Sequence, residues 1–152
     1  LDQSEIPTSG SASMSGKAVF NVAYRYNQAN SDYGVKQYSG HATVNGSFNW
    51  GSGSYSGQLD FTNFDSGNSL VSNAGFTSFS VSLAGSGATY AGSLNDTNNG
   101  WTREAVIAGA LYGNNTPVES GGRISVGLSK SGSLGTSGAN DFYMAEGIYL
   151  ID

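Results

Sequence analysis

Thirteen consecutive residues, Tyr38 to Trp50, alternate in character without a break. The even positions are Tyr38, Gly40, Ala42, Val44, Gly46, Phe48 and Trp50; the odd ones are Ser39, His41, Thr43, Asn45, Ser47 and Asn49. A period of two places the first set on one face of an extended strand and the second on the other, and no amphipathic helix produces it. Such a strand is stable only beside others, so the rest of the chain must supply a sheet.

It does. Residues 18–26 put Phe20, Val22, Tyr24 and Tyr26 on one face, and residues 54–62 do the same with Tyr55, Gly57, Leu59 and Phe61. Residues 76–83, 88–94 and 121–129 repeat the pattern through Phe79, Val81 and Leu83, through Tyr90 and Leu94, and through Ile124, Val126 and Leu128. Residues 104–112 and 142–151 are apolar on both faces, which predicts strands buried on both sides or exposing an apolar outer face. Clusters such as Gly51-Ser52-Gly53, Asp65-Ser66-Gly67-Asn68, Gly85-Ser86-Gly87 and Asn95 to Gly100 separate these runs and read as turns.

Eight strands on short connections, with no substantial helix, predict a meander. Closing it into a barrel removes the exposed edges an open sheet would keep. The expected fold is therefore all-β: one eight-stranded antiparallel up-and-down β-barrel over residues 1–152, with 1–9 as an extended lead-in. Tyr38-Ser39-Gly40, Tyr55-Ser56-Gly57 and Tyr90-Ala91-Gly92 repeat an aromatic-x-Gly spacing. Glycine lets a strand bend sharply, and the aromatic two residues away is expected to cover the gap. Eight strands enclose room for packed side chains or one small ligand, and the aromatic content predicts a filled interior.

Composition narrows the function. Six basic against eleven acidic residues leave a net charge of −5 with no basic cluster, which excludes nucleic-acid binding by phosphate neutralisation. Cysteine is absent, removing disulfides, thiol nucleophiles and thiolate metal sites. Only 11% of residues are charged, Gly, Ser and Asn taking the solvent-facing positions, a surface suited to exported proteins. No apolar run reaches the roughly 20 residues of a membrane-spanning helix. The opening Leu1-Asp2-Gln3-Ser4-Glu5 is not a signal peptide.

Candidate chemistry is sparse. His41, the only histidine, falls on the polar face of its strand; it reads as a surface residue or, alternatively, as a single proximal haem ligand. Paired carboxylates could serve a glycosidase, but the acids fall mostly in turns or on polar faces, Glu146 within an apolar strand being the exception. Asp96-Thr97-Asn98-Asn99-Gly100 loosely resembles a calcium loop, yet Ile107 stands where the twelfth-position glutamate should be, so a turn is favoured and no metal site is expected. Trp101, beside Arg103, reads as a contact for a partner or a sugar ring, or else as a ring folded over the barrel end.

Three stretches together resemble the C-terminal β-barrel of transferrin-binding protein B and related surface lipoproteins. The first is Pro7 to Gly16, with Met14 where the family carries an aromatic; the second runs from Tyr38-Ser39-Gly40-His41-Ala42 to Tyr55-Ser56-Gly57-Gln58-Leu59-Asp60-Phe61. The third is Ile107-Ala108-Gly109-Ala110-Leu111-Tyr112-Gly113 followed by Val118-Glu119-Ser120-Gly121-Gly122, similar to the family's strand–turn–strand, with Leu111 in place of its usual Phe and Thr116-Pro117-Val118 in place of its Ala-Glu stretch. The resemblance implies a surface location and binding without turnover, in a family whose members bind transferrin, haemoglobin, complement factor H or haem. The expectation is a non-enzymatic bacterial cell-surface or secreted protein that captures a host protein or haem for iron acquisition. Any membrane attachment would come only from a lipid anchor on an N-terminal part absent from this sequence. The expected contacts are Trp101, Arg103, Tyr33 and the 65–73 turn with Asn68, and His41 is the possible haem ligand. The alternative is an adhesion module for carbohydrate or another cell-surface molecule.

Overall fold

A computed structural model describes residues 5–25, 35–113, 117–130 and 141–152. Its strands are β1 (Ser11–Arg25), β2 (Val35–Trp50), β3 (Tyr55–Thr62), β4 (Phe79–Ser86), β5 (Thr89–Asn98), β6 (Trp101–Tyr112), β7 (Glu119–Lys130) and β8 (Phe142–Ile151). Each pairs antiparallel with its sequence neighbours, and β8 pairs back onto β1 from Gly16↔Ile151 to Arg25↔Phe142, closing the barrel. The expected architecture is the observed one.

The alternating side chains decide which way each strand faces. Gly40, Ala42, Val44, Gly46, Phe48 and Trp50 of β2 turn inward and His41, Thr43, Asn45, Ser47 and Asn49 outward. Tyr38, read as the first inward residue of that strand, keeps 37% of its surface exposed because it stands at the barrel rim. The interior is packed with rings: Phe61 stacks on Phe79 at 4.8 Å, Phe48 on Trp50 at 5.6 Å, and Phe20 on Phe64 at 4.5 Å. Rings inside and Ser, Thr and Asn outside on β2 reverse the arrangement that a lipid-spanning barrel needs. No helix among the described residues is long and apolar enough to cross a membrane.

The glycines are filled differently from the aromatic-x-Gly expectation. The aromatic covers a glycine on the neighbouring strand, not the one two residues along. Phe20 lies directly across from Gly40, Tyr55 from Gly85 and Tyr90 from Gly109, and each ring occupies the space a Cβ would take. At Gly57 and Gly92 the space goes instead to the carbonyls of Ser47 and Ser82, so those glycines permit close backbone approach.

A further correction concerns the β3–β4 connection, expected to lead straight into a strand at residue 76. It contains a five-residue helix, α1 (Ser69–Asn73), and β4 starts only at Phe79. Phe64, Leu70, Val71, Ala74 and Phe76 of this segment are fully buried. Phe64 and Phe76 pack against rings of β1, β4 and β8, so the segment plugs one end of the barrel.

Candidate functional site

The plugged end is where chemistry-bearing side chains gather. An up-and-down barrel sends the β3–β4 and β5–β6 connections to the same end, and both meet there. Asp65, at φ 43°, takes the left-handed conformation that the short side chains of Asp and Asn tolerate better than most. Its backbone N–H donates to the His41 carbonyl at 3.1 Å. Its side-chain Oδ2 accepts from two phenols: Tyr143 at 2.8 Å and Tyr38 in a very short bond.

Asn68 ties this carboxylate to the helix. Its Oδ1 accepts from the Leu70 N–H at 2.9 Å as the N-cap of α1, while its Nδ2 donates to the Tyr38 hydroxyl at 2.8 Å. Tyr24 meets the Tyr38 ring edge-on at 5.9 Å. The result is a rim of two tyrosines, one carboxylate and one amide, held by fixed bonds. Burial and then the hydrogen bond to Asp65 raise the Tyr38 phenol above its ordinary value; burial and then the Asp65 charge raise Tyr143. Both rings therefore stay neutral donors.

Arg103 secures the other side of the plug. On the inner face of β6 it stands directly across from Asp96 of β5 and binds that carboxylate twice, Nε to Oδ1 and Nη2 to Oδ2, both at 2.7 Å. Its Nη1 donates to the carbonyls of Gly75 at 3.0 Å and Ala74 at 3.3 Å, and its guanidinium lies 5.6 Å from the centre of the Phe76 ring. The Arg103 hydrogen bonds hold Asp96 below its usual carboxylate range, and Asp96 in turn holds Arg103 charged.

These positions revise the sequence expectations. Asn68 and Arg103 do lie at one end of the barrel, but their side-chain bonds go to the protein itself. Trp101, offered as an exposed contact or as a ring folded over the barrel end, is 3% exposed, which removes the first: the β5–β6 turn takes only Asn99 and Gly100, both at positive φ, so Trp101 is an inward residue of β6. The Lys130 ammonium lies 5.9 Å from its ring, and no face is left for a sugar. Asp96, Thr97 and Asn98, read as part of that turn, are the last paired residues of β5. Tyr33 lies outside the described residues. His41 is exposed on the outer wall, across from Val19, so any ligand it bound would sit outside the barrel. Glu146 is an exposed outer-wall residue.

Sequence reasoning missed Tyr38, Tyr143 and Asp65 as a unit. Tyr38 and Tyr143 each counted as ordinary strand residues, and only the closure of the barrel brings both onto Asp65. Three of the acids are engaged structurally: Asp65 by two phenols, Asp96 by Arg103, and Asp60 by Gln58 and Ser80. No group of three or more His, Cys, Asp or Glu able to hold a metal occurs among the described residues. No family model and no curated protein matches the chain.

Proposed function

We propose that the chain is a non-enzymatic binding protein of the bacterial cell surface or exterior, of the transferrin-binding protein B type, capturing a host protein in iron acquisition through the plugged end of its barrel. One observation carries this reading: the Tyr38–Asp65–Asn68–Tyr143 network fixes a segment of irregular backbone while leaving the Tyr38 ring partly exposed. A preorganised aromatic contact loses little entropy on binding, which is how rigid paratopes gain affinity. The ring-filled interior supplies the stiffness behind it. The sequence resemblance to the transferrin-, haemoglobin- and factor H-binding barrels supports the class of partner.

The test is binding of the purified chain to immobilised transferrin, haemoglobin and factor H. Binding to one of them that Tyr38→Ala weakens, with the fold retained, is the expected result. Binding that survives Tyr38→Ala unchanged would move the contact elsewhere, and no binding to any of them would remove the host-protein reading. Haem is a second reading, favoured by the exposure of His41 beside Val19 on the outer wall. Haem titration tests it: a Soret shift abolished by His41→Ala supports it, and the absence of any shift ends it.

A further inference from the structure

The outer wall of the barrel has two unlike sides. Outward residues of β2 to β4 are hydroxyls, amides and few apolar groups, whereas β6, β8 and β1 expose Val106, Met144, Ile148, Leu150 and Val19, each more than half exposed. The register aligns them in rows: Val19, Ile148, Arg123 and Ala108 lie side by side across β1, β8, β7 and β6, as do Asn21, Glu146, Ser125 and Val106 in the next outward row. Larger side chains therefore stand beside the small Ala108 and Ala23, both of which line one shallow groove on this face.

Arg123 and Glu146 are the two charged residues lining that groove. They sit on adjacent strands in adjacent rows, a diagonal spacing of roughly 7–8 Å. Both are exposed, and among the described residues no ion pair within the chain joins them. In a chain of net charge −5, this face balances two cations, Arg123 and the Lys17 across from Leu150, against two anions, Glu146 and the Glu104 in the row of Met144.

We propose that this face is the interface between two copies of the chain, related by a two-fold axis that passes between Arg123 and Glu146. Such an axis, lying in the plane of the wall, carries Arg123 of each copy over Glu146 of the other, so the patch is its own electrostatic complement. A lipid surface would call for an excess of cations, which the patch lacks. The size also suits a second copy: four strands about 4.8 Å apart, over six residues at about 3.4 Å each, give roughly 20 Å by 20 Å, the apolar centre of an interface that takes about 800 Å² from each partner with its rim. Ile148, close to the axis, faces its own counterpart, and the exposed Met144 of one copy meets the small Ala108 of the other.

Sedimentation of the chain over a wide concentration range tests this, supported by a cross-link that the lack of cysteine makes clean. The expected result is a concentration-dependent dimer. Arg123→Glu and Glu146→Arg should each weaken it by about tenfold or more, and the double swap should restore it. Ile148→Cys should give a disulfide-linked dimer under mild oxidation, while Ser82→Cys, on the polar wall, should not. All four sites are exposed, and circular dichroism checks that each variant folds. A monomer at every concentration overturns the proposal, as does a dimer indifferent to both charge reversals. A monomer that pellets with anionic phospholipid vesicles assigns the face to lipid instead and equally overturns it.

Discussion

The two ends of the barrel solve the same problem, how to bury tyrosines, with different chemistry. At the plugged end Tyr38 and Tyr143 donate to one carboxylate, that of Asp65. At the far end Tyr149 donates to Tyr90 at 2.8 Å, Tyr90 pairs with Ser120 at 2.6 Å, and Ser120 donates to the Ala110 carbonyl at 3.1 Å, while Tyr55 reaches the Thr89 carbonyl. The far end is a neutral chain that begins and ends within the wall. The plugged end is a charged hub that fastens a segment outside the wall onto it. Cutting one link of a neutral chain costs one hydrogen bond, whereas removing the hub releases several at once.

The largest effect belongs to the plug itself. Phe64 is fully buried, stacked on Phe20 and edge-on to Phe76, Phe79 and Tyr143. Phe64→Ala should lower stability by about 3–5 kcal/mol in urea unfolding. A loss below about 1 kcal/mol would mean that the plug is not part of the cooperative core, and the rigid rim would lose its basis.

Next comes the hub against the chain. Asp65→Ala leaves two phenols without their acceptor and should cost about 2–3 kcal/mol; Tyr149→Phe removes one link while Tyr90 keeps Ser120, and should cost about 1 kcal/mol. Equal losses in the two variants would erase the distinction between the ends.

Much of the barrel was legible from alternation alone. The bounds of β8 read directly as 142–151, and the inward set of β2 holds from Gly40 onward because period two survives every local context. The apolar outer face of residues 104–112 and 142–151 was one of two stated outcomes and is the one observed, at Val106, Met144, Ile148 and Leu150. The plug was not legible: α1 is five residues long, too short for a 3.6 period to declare itself, and Phe76 falls out of the strand that the period of two assigned it to. The exposed-contact reading of Trp101 and Arg103 arose because Asn95 to Gly100 looks like one long turn, when only Asn99 and Gly100 leave the ladder. The pairing of rings with glycines across strands, and of Tyr38 and Tyr143 with Asp65, depends on register, which alternation within a strand does not carry.

Alkaline titration separates the ends more finely. Burial raises Tyr38, Tyr143, Tyr90 and Tyr149 above the ordinary 10.0 and pushes Tyr55 up to about 12. The folded chain holds these protons more tightly than the unfolded one, so the stability they contribute is complete below about pH 10 and is lost as pH rises through the raised values. Urea midpoints should therefore fall steadily above about pH 10. Asp65→Asn removes the negative charge that helps raise Tyr38 and Tyr143 but leaves Tyr55, Tyr90 and Tyr149 untouched. Tyrosinate absorbance should then show part of the delayed ionisation moving to lower pH and part staying. A uniform shift of every delayed phenol would show the two ends to be coupled.

The smallest effect lies in the clamp between Asp96 and Arg103. The Asp96 side chain is 42% exposed, so solvent screens the pair, and Asp96→Asn should cost no more than about 1 kcal/mol. Because the folded chain holds Asp96 below its ordinary value of 3.8, that contribution is present above 3.8 and disappears as pH falls through the lowered value. Stability curves of the wild type and of the Asp96→Asn variant should run parallel at neutral pH and converge in acid. Arg103→Met should cost more than Asp96→Asn, since it also strips the Ala74 and Gly75 carbonyls of their donor, and that excess should persist in acid where the ion pair no longer contributes. If the two variants match at every pH, the guanidinium serves only its carboxylate, and the plug is held by its rings and by Asp65 alone.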